Sequence, residues 1–261
     1  MNSTLISIGP LNIQWYSALI LIGVIIAYYL IRKETLKKGL SENEIINIIF
    51  YTVLLGVLGA RIYYVLFNLD YYLNNIKEIP MTWHGGLAIH GGIITAIIFL
   101  LIYTKKKKIK TLLLTDTLVV GLIIAQAIGR WGNFFNQEAY GRIISKTFLI
   151  NLKIPTFIIK GMYIGGYYRE PTFLYESILS IIGFIILLII RKINKQKTGV
   201  LTSIYFIWYG ISRLIIEKFR ADSLMLGDIK MAQLVSIIGI LIGIIILIYS
   251  KKNNLYKEDK F

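Results

Sequence analysis

The sequence predicts an all-α polytopic membrane protein with about seven transmembrane helices. Three observations predict it. Of 261 residues, 56% are hydrophobic and only 16% charged, with a mean hydropathy of +0.66, whereas a soluble domain is about a quarter charged. Apolar runs near the roughly 20 residues needed to cross a bilayer recur along the chain. Basic residues gather in short segments after alternate runs, as membrane topology signals do.

The first run covers about 13–31 and ends in Arg32-Lys33. Further runs cover about 45–67, 85–103 and 111–128, the third stopping at the basic cluster 105–110. The last three cover about 173–190, 200–216 and 234–249. Segments 32–38, 105–110, 191–197 and 251–260 hold 4, 5, 4 and 4 Lys/Arg, so 17 of the 29 basic residues fall on one side of a seven-span chain. The positive-inside rule then places the N-terminus outside and the C-terminus in the cytoplasm. The net charge of +15 is accounted for by this asymmetry and does not call for nucleic acid. The N-terminus lacks the basic segment and small-residue cleavage site of a removable signal peptide, so the first span is expected to stay in the membrane.

One integral membrane domain, 1–261, is expected. Its longest connection, 130–172, would form a small extracytoplasmic head segment with strand character around 147–160. The absence of cysteine excludes disulfides, thiolate nucleophiles and cysteine metal sites. Two histidines, His84 and His90, stand six residues apart and do not share a helical face well, so no metal site is expected.

The densest polar chemistry lies just beyond the fourth run, in Gly129-Arg130-Trp131-Gly132-Asn133-Phe134-Phe135-Asn136-Gln137-Glu138-Ala139-Tyr140-Gly141. A guanidinium fork, two carboxamides and a carboxylate stand there at a membrane edge, where polar groups need partners. A hydrogen-bonded turn after a helix end is the simpler alternative. A second constellation is Tyr209, Arg213, Glu217 and Arg220. At about 100° per residue these four fall within about 80° of one another, on one stripe at the outer end of the sixth run. Ionisable groups within an apolar span face a cavity or a polar partner by default. Two arginine forks on different helices suit a phosphate in geometry and in charge.

Other residues leave two readings open. Trp15-Tyr16 fits an interfacial aromatic belt as well as a site. Arg61, after Gly59-Ala60, is either snorkelling or marks close helix packing. His90, bracketed by Gly85-Gly86 and Gly91-Gly92, is either a packing histidine or a proton acceptor near neutral pH. Glu176, within the fifth run, is read as an arginine partner before a direct ligand, and Asp222 as a loop-fixing residue.

These motifs carry a resemblance. Gly-Arg-x-Gly-Asn-Phe-x-Asn-x-Glu-x-x-Gly at 129–141 is similar to the signature of the prolipoprotein diacylglyceryl transferase family. The 85–92 segment around His90, the run from Arg169 to Glu176, and Tyr209-Gly210 through Arg220 resemble further family motifs in the family's order, and Tyr16 matches a tyrosine of its first span. The resemblance implies a bacterial cytoplasmic-membrane enzyme with its active site toward the outer leaflet. Such an enzyme moves the diacylglyceryl group of phosphatidylglycerol to the lipobox cysteine of a prolipoprotein signal peptide and releases glycerol phosphate. It implies His90 as base, Arg130 and Arg213 as catalytic arginines, and Tyr16, Asn133, Asn136, Glu138, Gly141, Tyr209, Glu217 and Arg220 as substrate-binding residues. Neither a metal nor an organic cofactor is implied, and the partners are membrane lipids and the lipoprotein precursor, not nucleic acid. An anion transporter would call for internal pseudo-symmetry and broken helices, which the sequence does not suggest. A non-catalytic receptor would depend on the head surface and tolerate loss of His90 and Arg130.

Overall fold

The computed structural model describes residues 3–8, 11–82, 85–193, 197–223, 225–227 and 229–252. His84 and the C-terminal part of the basic segment 251–260 lie outside the described residues. Among the described residues, seven helices are long and apolar enough to cross a membrane. They are α1 (Trp15–Lys37), α2 (Glu42–Leu66), α4 (Ile89–Lys107), α5 (Thr111–Asn136), α8 (Thr172–Arg191), α9 (Val200–Glu217) and α10 (Met231–Lys252). The short helices α3 (Leu69–Asn74), α6 (Lys146–Asn151) and α7 (Thr156–Gly161) lie in the connections. The described residues also form three antiparallel hairpins: β1 (Thr4–Ile8) with β2 (Leu11–Gln14), β3 (Tyr163–Ile164) with β4 (Tyr167–Tyr168), and β5 (Met225–Leu226) with β6 (Ile229–Lys230). Leu21, Ile102 and Ile245 are 60%, 61% and 65% exposed. So much exposed aliphatic surface along long helices is a cost in water and none in lipid.

Two compact units share the chain, with the boundaries inside α1 and near the start of α5. One unit is Arg32–Leu114. Its α2 starts with a reciprocal cap, in which the Ser41 hydroxyl accepts from Glu44 N–H and the Glu44 carboxylate accepts from Ser41 N–H. Helices α2 and α4 meet through small residues. A Cβ on Gly91 would stand 2.4 Å from the Gly59 carbonyl oxygen, and one on Gly59 only 2.0 Å from Thr95 Oγ1. Backbones this close gain dispersion contacts, the main attraction between helices in lipid.

The other unit holds the residues before Arg32 and after Leu114. Its centre is Val119, Val120 and Ile123 of α5, Leu187 of α8, and Leu201 and Tyr205 of α9. Helix α10 packs on α9 at Gly210, where a Cβ would stand 2.9 Å from Ser236 O, and at Gly243, 2.8 Å from Ser203 O. The start of α9 is capped from another helix. Asp116 of α5 accepts from Gly199 N–H at 2.7 Å, from Thr202 N–H at 2.8 Å and from the Thr202 hydroxyl at 2.6 Å. A buried carboxylate there satisfies the orphan donors of the first turn and opposes the positive end of the helix dipole.

Two sequence expectations are corrected here. Helix α5 does not stop near residue 128 but runs to Asn136, so Arg130, Asn133 and Asn136 occupy its last turns. The stop comes where Gln137 and Ala139 turn left-handed, with φ of 52° and 57°. Around 147–160 the chain is helical, not extended. Ser145 accepts from Phe148 N–H to cap α6, and Pro155 stands at the cap of α7, so local capping overrides the β-branched composition. Helix α7 folds onto the ends of α5 and α8 through a cluster of Phe134, Ile158, Met162 and Phe173.

The cap contributed by Asp116 is expected to be a large local stabiliser. Asp116→Ala should lower unfolding stability by about 2 kcal/mol or more, since a buried, charge-assisted cap lies at or above the upper end of cap energies. Thermal denaturation of the purified variant beside the parent measures it.

Candidate active site

Helices α5, α8 and α9 each contribute one charged residue to a single buried contact. Glu176 of α8 pairs through Oε2 with Arg130 Nε at 2.5 Å and through Oε1 with Arg213 Nη1 at 2.6 Å. Arg213 Nη2 in turn reaches Glu217 Oε2 at 2.8 Å, one helical turn along α9. The side chains of Glu176 and Glu217 are 8% and 1% exposed, and those of Arg130 and Arg213 are 22% and 15% exposed. The carboxylates are thus sealed in the protein, while part of each arginine side chain remains exposed.

A second line of bonds leaves Arg130 along its own helix. Nη1 donates to Asn133 Oδ1 at a longer 3.4 Å, and Asn133 Nδ2 donates to Glu138 Oε1 at 2.9 Å. Asn136 Nδ2 reaches the same Glu138 oxygen at 3.5 Å. Asn133, three residues on, stands on the arginine's side of α5, while Asn136, about 120° further round from Arg130, meets Glu138 because the chain turns back at Gln137. Tyr16 and Tyr209 stand close enough to feel the Arg130 charge, and Tyr16 also feels Glu138. Gly132 makes room for Tyr16: a Cβ there would lie 2.5 Å from Tyr16 Cδ2.

The turn after α5 is held from both sides. Ala139 has a positive φ, unfavourable for a residue with a Cβ. Its N–H donates to Asp222 Oδ2 at 3.0 Å, and its carbonyl accepts from Thr172 Oγ1 at 2.5 Å. Asp222 Oδ1 also accepts from Arg220 Nε at 3.0 Å. Gly141 forms an isolated bridge with Arg220, and a Cβ on Gly141 would meet Glu170 Cβ at 2.8 Å. Asp222 is therefore a loop-fixing residue. Arg220 corrects the stripe geometry: α9 ends at Glu217, and Arg220 sits beyond the helix, paired with Asp222.

Lys230 Nζ donates to the Glu217 carbonyl at 2.8 Å. With it, Arg130, Arg213 and Arg220 balance Glu138, Glu176, Glu217 and Asp222 in formal charge. An anion would be recognised here by oriented donors, not by a bulk positive field. Five N–H groups per guanidinium exceed what one or two carboxylate contacts occupy, leaving capacity for ligand oxygens.

Of the expected residues, Tyr16, Arg130, Asn133, Asn136, Glu138, Gly141, Tyr209, Arg213, Glu217 and Arg220 belong to this unit. Glu176, read from the sequence as an arginine's partner and not as a site residue, is such a partner, and for two arginines at once. Its signal was present: a carboxylate inside an apolar span must have a cationic partner. His90 belongs to the other unit, in the first turn of α4, with its ring centroid 6.4 Å from that of Tyr63. Arg61, also in that unit, is 6% exposed, so it does not snorkel. Among the described residues no cluster of His, Asp or Glu suits a metal ion.

Seven membrane-length helices with a buried, shared arginine–carboxylate centre define a multi-pass membrane protein with a polar site built inside its helical bundle. The prolipoprotein diacylglyceryl transferase family model matches residues 3–249, and the chain belongs to that family. It is 48% identical to the phosphatidylglycerol–prolipoprotein diacylglyceryl transferase of Staphylococcus haemolyticus, over 99% of this chain and 92% of that protein. It is 43% identical to that of Streptococcus mutans, covering 97% of each. It is 44% identical to that of Listeria monocytogenes serotype 4b, over 100% of this chain and 95% of that protein.

Removing Glu176 would leave two largely buried arginines facing each other. Glu176→Ala is expected to cost about 3–5 kcal/mol of stability, the usual consequence of breaking a buried pair from one side. Adding Arg213→Met to Glu176→Ala should recover part of the loss. Denaturation of both variants beside the parent tests the coupling.

Proposed function

We propose that this chain transfers the diacylglyceryl group of phosphatidylglycerol to the thiol of a lipobox cysteine in a prolipoprotein, the first step of lipoprotein maturation. The observation that carries the reading is the joining of Arg130 and Arg213 on one buried carboxylate, in a chain that belongs to this family along nearly its whole length. Two guanidiniums fixed in this way present donors to a single phosphodiester.

In the reaction the thiol sulfur attacks the diacylglyceryl carbon bonded to the phosphate oxygen. A carbon–sulfur bond forms, the carbon–oxygen bond breaks, and its electron pair leaves on the phosphate of glycerol phosphate. The thiol proton must go to a base, since only a few per cent of a free thiol is ionised at neutral pH. His90, which matches the family's histidine, takes that proton. Negative charge develops on the leaving phosphate, and Arg130 and Arg213 stabilise it more strongly in the transition state than in bound lipid. Asn133, Asn136 and Glu138 keep Arg130 aimed, Glu217 aims Arg213, and Tyr16 and Tyr209 flank the head group. Gly141 and Arg220 close the turn against which the head group rests. The chemistry of thiol attack on a phosphodiester calls for no organic cofactor.

The chain acts as one integral domain in the bacterial cytoplasmic membrane, N-terminus outside and C-terminus in the cytoplasm. The one-sided placement of Lys and Arg supports this orientation. It puts the 130–172 insertion and the arginine centre toward the outer leaflet, where a lipobox cysteine emerges.

The test is transfer of label from glycerol-labelled phosphatidylglycerol to a lipobox peptide by the purified protein. The parent should transfer label. Arg130→Lys, which keeps the charge and loses the fork, should lower kcat by roughly 100-fold or more, as loss of an oriented transition-state donor does. A folded parent that binds lipid and peptide but transfers nothing would sink the reading.

A further inference from the structure

Outside the Arg130–Glu176–Arg213 centre, Arg61 is also heavily engaged. Nε donates to the Ile79 carbonyl at 2.8 Å and Nη2 to that of Glu78 at 2.6 Å. Nη1 donates to the Gly85 carbonyl at 2.7 Å and the Gly86 carbonyl at 3.0 Å. The guanidinium carbon lies 5.2 Å over the Tyr72 ring. The fork therefore ties the two limbs of one connection, 78–79 and 85–86, to the buried wall of α2, using carbonyl dipoles and a ring face in place of a carboxylate.

His90 lies four residues beyond the second limb of this clamp. Gly85 and Gly86 hold φ of 87° and 73°, a left-handed pair that residues with a Cβ rarely adopt. A Cβ on Gly86 would stand 2.4 Å from Arg61 Nη1 and 2.8 Å from Tyr64 Cε1. Two residues on, Ala88 N–H donates to the Ala60 carbonyl at 3.0 Å. A Cβ on Gly91 would meet Tyr63 Cβ at 2.3 Å, and the His90 ring neighbours that of Tyr63. Successive groups of α2, from Ala60 to Tyr64, thus form a template for 85–91, and Arg61 supplies its polar fixings.

We propose that Arg61 is a positioning residue for His90: it sets the approach of the 85–88 segment to α4, and through it the direction of the imidazole. The proposal rests on the reading of His90 as the base that takes the thiol proton. A purely fold-holding arginine would support the unit as a whole. A positioning one acts on the 78–91 segment and on turnover, and leaves substrate affinity alone.

The experiment compares the full-length parent with Arg61→Lys, which keeps the charge and loses the fork. Label transfer from phosphatidylglycerol to a lipobox peptide is read beside backbone hydrogen exchange. In Arg61→Lys, exchange should quicken at 78–91 and stay at parental rates in 172–191. The kcat should fall roughly 100-fold, the effect of misplacing a reacting group by about 1 Å, with KM for lipid and peptide unchanged. His90→Gln should lower kcat with parental exchange at 78–91. Should Arg61→Lys not fold, Gly86→Ala presses on the same nitrogen from the other side and must give the same pattern. The proposal is overturned by parental kcat in a variant with faster local exchange, by a loss of kcat with unchanged exchange, or by faster exchange throughout both units. If the parent itself transfers nothing, the functional reading fails, and parental exchange at 78–91 in Arg61→Lys would separately overturn the clamp.

Discussion

The structure depends on one carboxylate, that of Glu176. Two guanidiniums in a mostly apolar bundle repel each other and are expensive to remove from water; a single shared anion makes both tenable and fixes where they point. Because Arg130, Glu176 and Arg213 come from α5, α8 and α9, the contact also ties three helices together at one depth. Hydrophobic burial cannot do this in lipid, where tails solvate aliphatic side chains as well as neighbouring helices do. Directional polar contacts and close backbone approach must define the bundle instead.

The same economy recurs at other points. Asp116 joins α5 to the first turn of α9, and Ser177 of α8 donates to the Ala127 carbonyl of α5 at 3.0 Å, next to Glu176. Gly132 admits Tyr16 beside Arg130, and Gly183 admits Trp208, whose indole N–H donates to the Leu179 carbonyl at 2.8 Å. Asp116, Ser177 and Trp208 thus each meet a partner on another helix. The apolar residues fill the space between, and their remaining surface is left to lipid. The result is preorganisation: side chains whose rotamers are fixed by neighbours lose little freedom when a ligand binds.

Polar chemistry concentrates where α5 is longer than hydropathy alone suggests. An average of hydropathy stops at Ile128, because Arg130, Asn133 and Asn136 are polar. The helix continues because Arg130 is held by Glu176 and Asn133, and Asn133 in turn by Glu138, while Asn136 only brings its Nδ2 to 3.5 Å from Glu138. The converse holds at 147–160, where β-branched residues suggest strands, but a serine cap with Phe148 and a proline before Thr156 produce helices. Arg220 illustrates a third limit. Periodicity places it on the stripe of Tyr209, Arg213 and Glu217, but the helix ends first, and Asp222 and Gly141 decide its position.

The sequence by itself determined the class, the seven spans, the family resemblance and the residues that carry charge into apolar surroundings. These are local quantities: run length, composition, motif spacing, and the rule that an ionisable group in a span needs a partner. It did not determine which partner. That Glu176 bridges Arg130 and Arg213, that Asp222 fixes the turn at Ala139, and that Arg61 holds the carbonyls of Glu78, Ile79, Gly85 and Gly86 were decided only by tertiary structure. The physical reason is that these contacts join residues 17 to 83 positions apart along the chain. Their energies exist only once packed helices bring a donor and an acceptor within about 3 Å in a region that water does not reach.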